Sequence, residues 1–223
     1  MGRLVGDLLP LAVVVAISPV PIVAVLLMLL APKARGTSAA FMAGWLVGIA
    51  GVTTVVLLLA DDPVAGRSRS SAAASWVELV LGVLLLPLAA RQWRSRPKPG
   101  EVPTVPRWLA AADRFTAPRA GGFGLVLSAA NPKALLVCVA AGTTIAASGV
   151  DGVQATWSVV GFTVVAASTV AVPVLAYVVG GTRMTAALES LRRWLTVRGA
   201  AVTATLLLAI GLVLIGQGLG GLF

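Results

Sequence analysis

Six long apolar segments limit this chain to a few possible folds. They lie near residues 4–31, 37–60, 72–91, 121–147, 153–180 and 200–222. A helix needs about 20 apolar residues to cross a bilayer, and each segment reaches roughly that length. Apolar residues lie all round each segment rather than in alternation, which favours helices over a β-barrel. With only 11% charged residues, the chain is predicted to be an all-α integral membrane protein with six transmembrane helices.

Lys and Arg are distributed unevenly over the connections between these segments. Of the 17 basic residues, 13 lie in the connections 32–36, 91–120 and 181–199. Short cytoplasmic connections of membrane proteins carry such an excess. We therefore expect a multi-pass protein of the inner (plasma) membrane with both its N-terminus and its C-terminus outside. The net charge of +9 then reflects topology, and no nucleic-acid partner is expected.

A long connection rich in Pro and basic residues divides the chain into two halves. We predict a first three-helix repeat at residues 1–91, a basic cytoplasmic linker at residues 92–120 and a second three-helix repeat at residues 121–223. Because the first half starts outside and the second starts inside, the two repeats would be inverted relative to each other. Inverted repeats of this kind are typical of secondary transporters.

The first and fourth segments each contain a helix-breaking motif. The stretch "AISPVPIVAVLL" interrupts the first segment and "SAANPKALLV" interrupts the fourth, with Pro19 and Pro132 separated by 113 positions, about half the chain. Pro removes a backbone hydrogen bond and clashes with the preceding turn. We predict broken helices 1 and 4, with breaks at residues 18–21 and 131–132 and with new helices that begin at Pro21 and Pro132.

The amino ends of these two new helices would attract an anion. Each exposes unpaired N–H groups and a partial positive charge, and Lys133 adds an ammonium where an uncompensated charge is costly. We predict that Lys133 binds the carboxylate, sulfate or phosphate of a substrate, with hydrogen bonds from the surrounding groups. The predicted substrate-binding residues are Ser18, Pro19, Pro21, Asn131, Pro132 and Lys133. Alternatively, the prolines only kink the spans, and Lys133 snorkels or pairs with a buried acid such as Glu78.

Two carboxylates are candidates for proton coupling. Glu78 lies in the third segment, where an interfacial or helix-contact role is the alternative, and Asp7 lies near the outer mouth, where a solvated end residue is the alternative. The chain has no His, and its one cysteine, Cys138, excludes a disulfide or a CxxC site within one chain. We predict no enzymatic activity, no cofactor and no metal site.

The motifs "AISPVPI", "APKARG", "FMAGWLVG", "LGVLLLPLAARQWRSRPKPGE", "PRWLAAADRFT", "NPKALLVCVAAGTTIA" and "ESLRRWL" follow one another over most of the chain. In this order they resemble the LysE superfamily of six-span exporters. Within it they resemble the peptidoglycolipid-addressing (GAP) or sulfolipid-addressing proteins of actinobacteria. The resemblance implies movement or delivery of cell-envelope glycolipids.

Three functions follow from these observations. The favoured one is an alternating-access transporter or flippase of an anionic cell-envelope lipid or glycolipid, with a proton gradient as a candidate drive. The alternatives are a non-transporting scaffold for a lipid synthase or export complex, and a LysE-type exporter of an amino acid or ion. The expected partners are membrane lipids, the lipid substrate, a second copy of the chain through the small-residue motifs "GWLVG" and "GQGLG", and a lipid synthase or export partner. A midplane cavity lined by Asn131 and Lys133 would favour transport, and a dry, well-packed centre would favour scaffolding.

Overall fold

The protein is described by a computed structural model over residues 2–31, 34–60, 71–96 and 114–222. Over these ranges the chain forms α-helices and no strand. They are α1 (Gly2–Ala16), α2 (Pro19–Leu29), α3 (Ala34–Ala60), α4 (Ser71–Arg94), α5 (Ala117–Ala129), α6 (Pro132–Ala147), α7 (Gly152–Gly180) and α8 (Thr185–Leu222). A 3₁₀ turn, Gly181–Met184, joins α7 to α8. Most of the predicted linker, at 97–113, lies outside the described residues.

Three of these helices, α3, α7 and α8, are each long and apolar enough to cross a membrane. Two further candidate spans are bent pairs of helices: α1 and α2 meet at 52°, and α5 and α6 meet at 65°. The described residues therefore contain three to five candidate spans, which confirms a multi-pass helical membrane protein. The bends fall in the first and fourth predicted segments. The predicted third span, α4, is not among the five, so that six spans stay a prediction.

The last helix is longer than predicted. The sequence indicated a span at residues 200–222, but α8 begins at Thr185 and runs for 38 residues. At 1.5 Å per residue its length is about 57 Å, well beyond the ~30 Å hydrocarbon core. Because no Pro lies between residues 185 and 222, nothing in the backbone ends the helix before the apolar part begins. Its first turns carry a half-buried Glu189–Arg192 ion pair of 3.3 Å.

Small residues let two pairs of helices approach closely. In the contact between α3 and α5, a Cβ added at Gly44 would collide with the backbone oxygen of Gly121. In the contact between α4 and α8, a Cβ added at Gly82 would lie 2.7 Å from the backbone oxygen of Gly211. Close backbone approach through small residues is the usual way membrane helices associate, because lipid provides no hydrophobic drive between them.

The α2 helix lies in the centre of the bundle. It contacts α3, α7 and α8, and it carries no charged residue. A helix that is apolar all round is buried on all sides. Its buried residues are Pro21, Ile22, Val23, Ala24, Val25, Leu26, Met28 and Leu29. The break that precedes α2 is therefore held inside the bundle.

The outer surface of the bundle is strongly apolar. Large apolar side chains are exposed along α3, α4, α5, α7 and α8, whereas soluble monomers seldom expose patches larger than a few hundred Å². Examples are Val47, Val55, Leu58, Leu59, Val83, Val126, Trp157, Val160, Val164, Val172, Leu175, Leu212 and Val213. A surface of this kind suits contact with lipid chains.

Candidate functional site

At the first break, the serine hydroxyl at the amino end of α2 makes no capping hydrogen bond. α2 begins at Pro19, two residues earlier than the predicted Pro21, and Ser18 is its N-cap residue. An N-cap hydroxyl normally accepts from the second or third residue of the helix, but Pro21 at the third position has no N–H. Ser18 is buried and makes no capping hydrogen bond. Since Pro19 also lacks an N–H, the uncapped backbone donors at this end are those of Ser18 and Val20.

The second break is capped by its own side chain. α6 begins at Pro132, as predicted, and the N-cap residue Asn131 accepts from the backbone N–H of Lys133 through Oδ1 at 3.1 Å. The Lys133 N–H is thus already used and does not serve as a free anion donor. The remaining backbone donors at this amino end are those of Asn131 and Ala134, and the Asn131 amide nitrogen adds two further N–H groups.

The two breaks meet at the Lys133 ammonium. Its Nζ donates to the backbone oxygen of Ile17 at 3.1 Å, and the Thr203 hydroxyl donates to the same oxygen at 3.1 Å. The Thr169 hydroxyl donates to the neighbouring oxygen of Ala16. These carbonyls belong to the carboxyl end of α1, where helical partners are missing and the helix carries a partial negative charge. The end of α1 therefore compensates a cation that would otherwise be costly to bury.

A cavity of about 500 Å³ lies beside this junction. Its described lining consists of Ser18, Pro19, Val20, Leu88, Arg91, Gln92, Phe123, Val126, Leu127, Ala130, Asn131, Pro132, Lys133, Thr203 and Leu207. The polar groups include two cations, Lys133 and Arg91, and no carboxylate occurs in this lining. Lys133 is only 8% exposed, so its side chain lies where water is scarce. An anion with hydroxyl groups and an apolar part matches this chemistry.

The structure brings together five of the six predicted site residues. The cavity is lined by Ser18, Pro19, Asn131, Pro132 and Lys133. The sixth, Pro21, is buried within α2, where it removes a donor and does not line the cavity.

Of the two candidate coupling carboxylates, the structure describes only the Asp7 side chain. Asp7 is exposed on α1. The Glu78 side chain lies outside the described residues, and its role stays a prediction.

Sequence reasoning missed three polar residues of the cavity lining. Arg91 and Gln92 lie in the last turns of α4, where Arg91 was counted only as a topology signal. Thr203 lies in α8 and gave no sequence signal, because Ser and Thr are common in membrane helices. Over the ranges that the structure describes, no group of three or more His, Cys, Asp or Glu side chains could hold a metal ion.

The bent spans and the apolar outer surface together define a multi-pass membrane protein, with a partly polar cavity beside its broken helices. The sequence profile of the sulfolipid-1-addressing protein (Sap) matches residues 8–220. The chain therefore belongs to the sulfolipid-1-addressing protein family. This membership implies involvement in sulfolipid or glycolipid addressing and covers both predicted repeats. No curated protein and no solved structure matches the chain.

Proposed function

We propose that the protein is a transporter that moves an anionic, sulfated cell-envelope lipid across the plasma membrane, and that it has no enzymatic activity. The observation that carries this proposal is a cavity with two cations and no carboxylate in its described lining, placed where two broken helices meet. The family description, which names a sulfolipid, supports the same class of ligand.

The Lys133 ammonium is the proposed anchor for the sulfate. It has three N–H donors, of which the Ile17 carbonyl takes one. The other two N–H donors are available to a ligand in the cavity. The amino end of α6 also lines this cavity, and its helix dipole favours an anion. The Ser18 hydroxyl and the Asn131 amide nitrogen supply neutral hydrogen bonds. A charge-assisted bond to the sulfate would be roughly twice as strong as each of these.

The contacts between helices support six spans in two inverted repeats. In this arrangement α1 corresponds to α5, α2 to α6, α3 to α7 and α4 to α8. α3 packs against α5 and α6, and α7 correspondingly packs against α1 and α2. The contact between α2 and α8 corresponds to the contact between α6 and α4. The contact between α2 and α3 corresponds to the contact between α6 and α7. α4, with 24 residues or about 36 Å of helix, would be the sixth span.

The inverted arrangement supports transport by alternating access. Both termini would face outside, and the basic connections would face the cytoplasm. Asp7 and Glu78 remain the candidates for proton coupling. A second copy of the chain and a lipid synthase or export complex are the proposed protein partners.

The proposal is tested with purified protein in nanodiscs and with sulfatide, a sulfated glycolipid, as the probe. Lys133→Met should weaken sulfatide binding by about 10- to 100-fold, because a hydrogen bond to a charged group contributes roughly 1.5–3 kcal/mol. Lys133→Arg should recover part of the binding, since guanidinium keeps the charge but has a planar shape. Galactosylceramide, which lacks the sulfate, should bind weakly to all three proteins.

A matched pair at Asn131 separates charge from helix capping. Asn131→Asp and Asn131→Ser both keep a side chain that caps α6. Only Asn131→Asp places a carboxylate in the cavity, so it should weaken sulfatide binding while Asn131→Ser largely retains it. Mass spectrometry of lipids that copurify with the native protein should find an anionic lipid, and reconstituted vesicles should show its movement between leaflets. The transporter proposal would be contradicted if Lys133→Met bound sulfatide as the wild type does. It would also be contradicted if the wild type bound the lipid without moving it between leaflets, and that result would favour a scaffold.

A further inference from the structure

The two repeats are not in equivalent positions around the cavity. α1 packs against α6 and α8. The corresponding contacts in the other repeat would join α5 to α2 and to α4, and the described residues form no comparable packing there. α5 is therefore separated from α4, whereas the equivalent position beside α1 is closed.

The cavity extends into the space between α4 and α5. Leu88, Arg91 and Gln92 line it from α4, and Phe123, Val126 and Leu127 line it from α5. Val126 is 58% exposed, so this wall reaches the outer surface of the bundle. That surface is apolar and suits lipid chains. The cavity thus has a cationic inner part at Lys133 and an apolar opening at the side of the bundle.

The size of the cavity limits what it can enclose. A volume of about 500 Å³ lies within the range of roughly 300–1,000 Å³ that encloses a drug-sized ligand. A sugar head group with its sulfate fits this range, but the same space does not also hold long acyl chains. A lipid ligand must therefore keep its chains outside, and the space between α4 and α5 is the apolar route from the cavity to the bilayer.

We propose, on the basis of the proposed function, that the space between α4 and α5 is a lateral portal for one lipid with an anionic head group. The head group lies at Lys133, and the acyl chains pass between Leu88 and Val126 into the bilayer. Arg91 lies at the polar end of the portal, where it contacts the head group. With both termini outside, the carboxyl end of α4 faces the cytoplasm, and the portal receives lipid from the cytoplasmic leaflet.

The test places a bulky group in the portal after the protein has folded. Val126→Cys is purified, reconstituted and then modified with a bulky maleimide, while Cys138 stays unmodified because it is buried. The matched control is Val164→Cys on the exposed surface of α7, where the side chain is 60% exposed. Two probes are compared: sulfatide, which carries acyl chains, and galactose 3-sulfate, which is its soluble head group.

We expect modification at position 126 to reduce sulfatide binding at least tenfold and to leave galactose 3-sulfate binding unchanged. Modification at position 164 should alter neither. Unchanged sulfatide binding after modification at position 126 would overturn the portal. An equal loss of binding of both probes would also overturn it, because the modification would then act on the head-group site. Lys133→Met tests the proposed function separately from the portal. If the proposed function is wrong, Lys133→Met will bind both probes as the wild type does.

Discussion

The Ile17 carbonyl should couple Lys133 and Thr203 energetically, because both side chains donate to it at 3.1 Å. We consider Lys133→Met, Thr203→Val and the double variant. In either single variant the carbonyl keeps one side-chain donor. Loss of the neutral Thr203 bond costs about 0.5–1.5 kcal/mol, and loss of the charged Lys133 bond costs about 1.5–3 kcal/mol, offset in part because a buried charge is also removed. In the double variant the carbonyl loses both donors within a membrane span, where unpaired backbone groups are unfavourable.

The coupling free energy should be about 1–2 kcal/mol beyond the sum of the single variants. For a chain of this size, 1 kcal/mol shifts Tm by roughly 2–4 °C, so the double variant should unfold about 2–8 °C below the additive expectation. The lone cysteine provides the assay, since Cys138 is fully buried and reacts with a fluorogenic maleimide when the protein unfolds.

The matched control replaces a threonine two residues further along α8. The Thr205 hydroxyl is exposed and donates to the Ala201 carbonyl of its own helix at 3.1 Å. Lys133→Met combined with Thr205→Val should be additive within about 0.5 kcal/mol, because the two sites share no partner. If the pair of Lys133→Met and Thr203→Val proves equally additive, the shared carbonyl is not the acceptor that stabilises the break.

Two further predictions concern helix packing and topology. Gly44→Ala should destabilise the protein by about 1–3 kcal/mol, because its Cβ collides with the Gly121 backbone. Gly51→Ala on the same helix meets open space and should be neutral or stabilising. Equal melting temperatures of the two variants would refute the close α3–α5 contact. A membrane-impermeant maleimide applied from outside should label a cysteine added at the carboxyl tail and leave Lys98→Cys unlabelled, and the opposite pattern would reverse the predicted orientation.

The position of the breaks could be predicted, but proline alone does not explain them. Pro10, Pro87 and Pro173 all lie inside continuous helices. Pro is tolerated in membrane helices when neighbouring groups satisfy the freed carbonyls. The two breaks differ because an N-cap residue, Ser18 or Asn131, stands directly before a Pro at the first helical position. This motif starts a new helix, and it is readable in the sequence.

The partner of Lys133 could not be predicted in the same way. An acid such as Glu78 was the expected alternative to a ligand, because acids are the partners that a sequence displays. Among the described residues the acceptor is the backbone carbonyl of Ile17, which is 116 positions away, and a contact with Glu78 stays a prediction. Every residue has a carbonyl, so the sequence does not mark the one that a helix break leaves unpaired. Only the meeting of α1 with α6 identifies it.

The membrane class could be predicted from the sequence, as could the approximate bounds of the apolar segments, the two breaks and the cation between them. These are local properties, since hydropathy, helix capping and the missing N–H of proline act over a few neighbouring residues. The packing of the helices, which the sequence does not show, brings Arg91 and Thr203 to the same cavity as Lys133 and leaves α5 away from α4. A cavity is the space that packed helices leave between them, so it depends on how small residues such as Gly44 and Gly121 let distant helices approach.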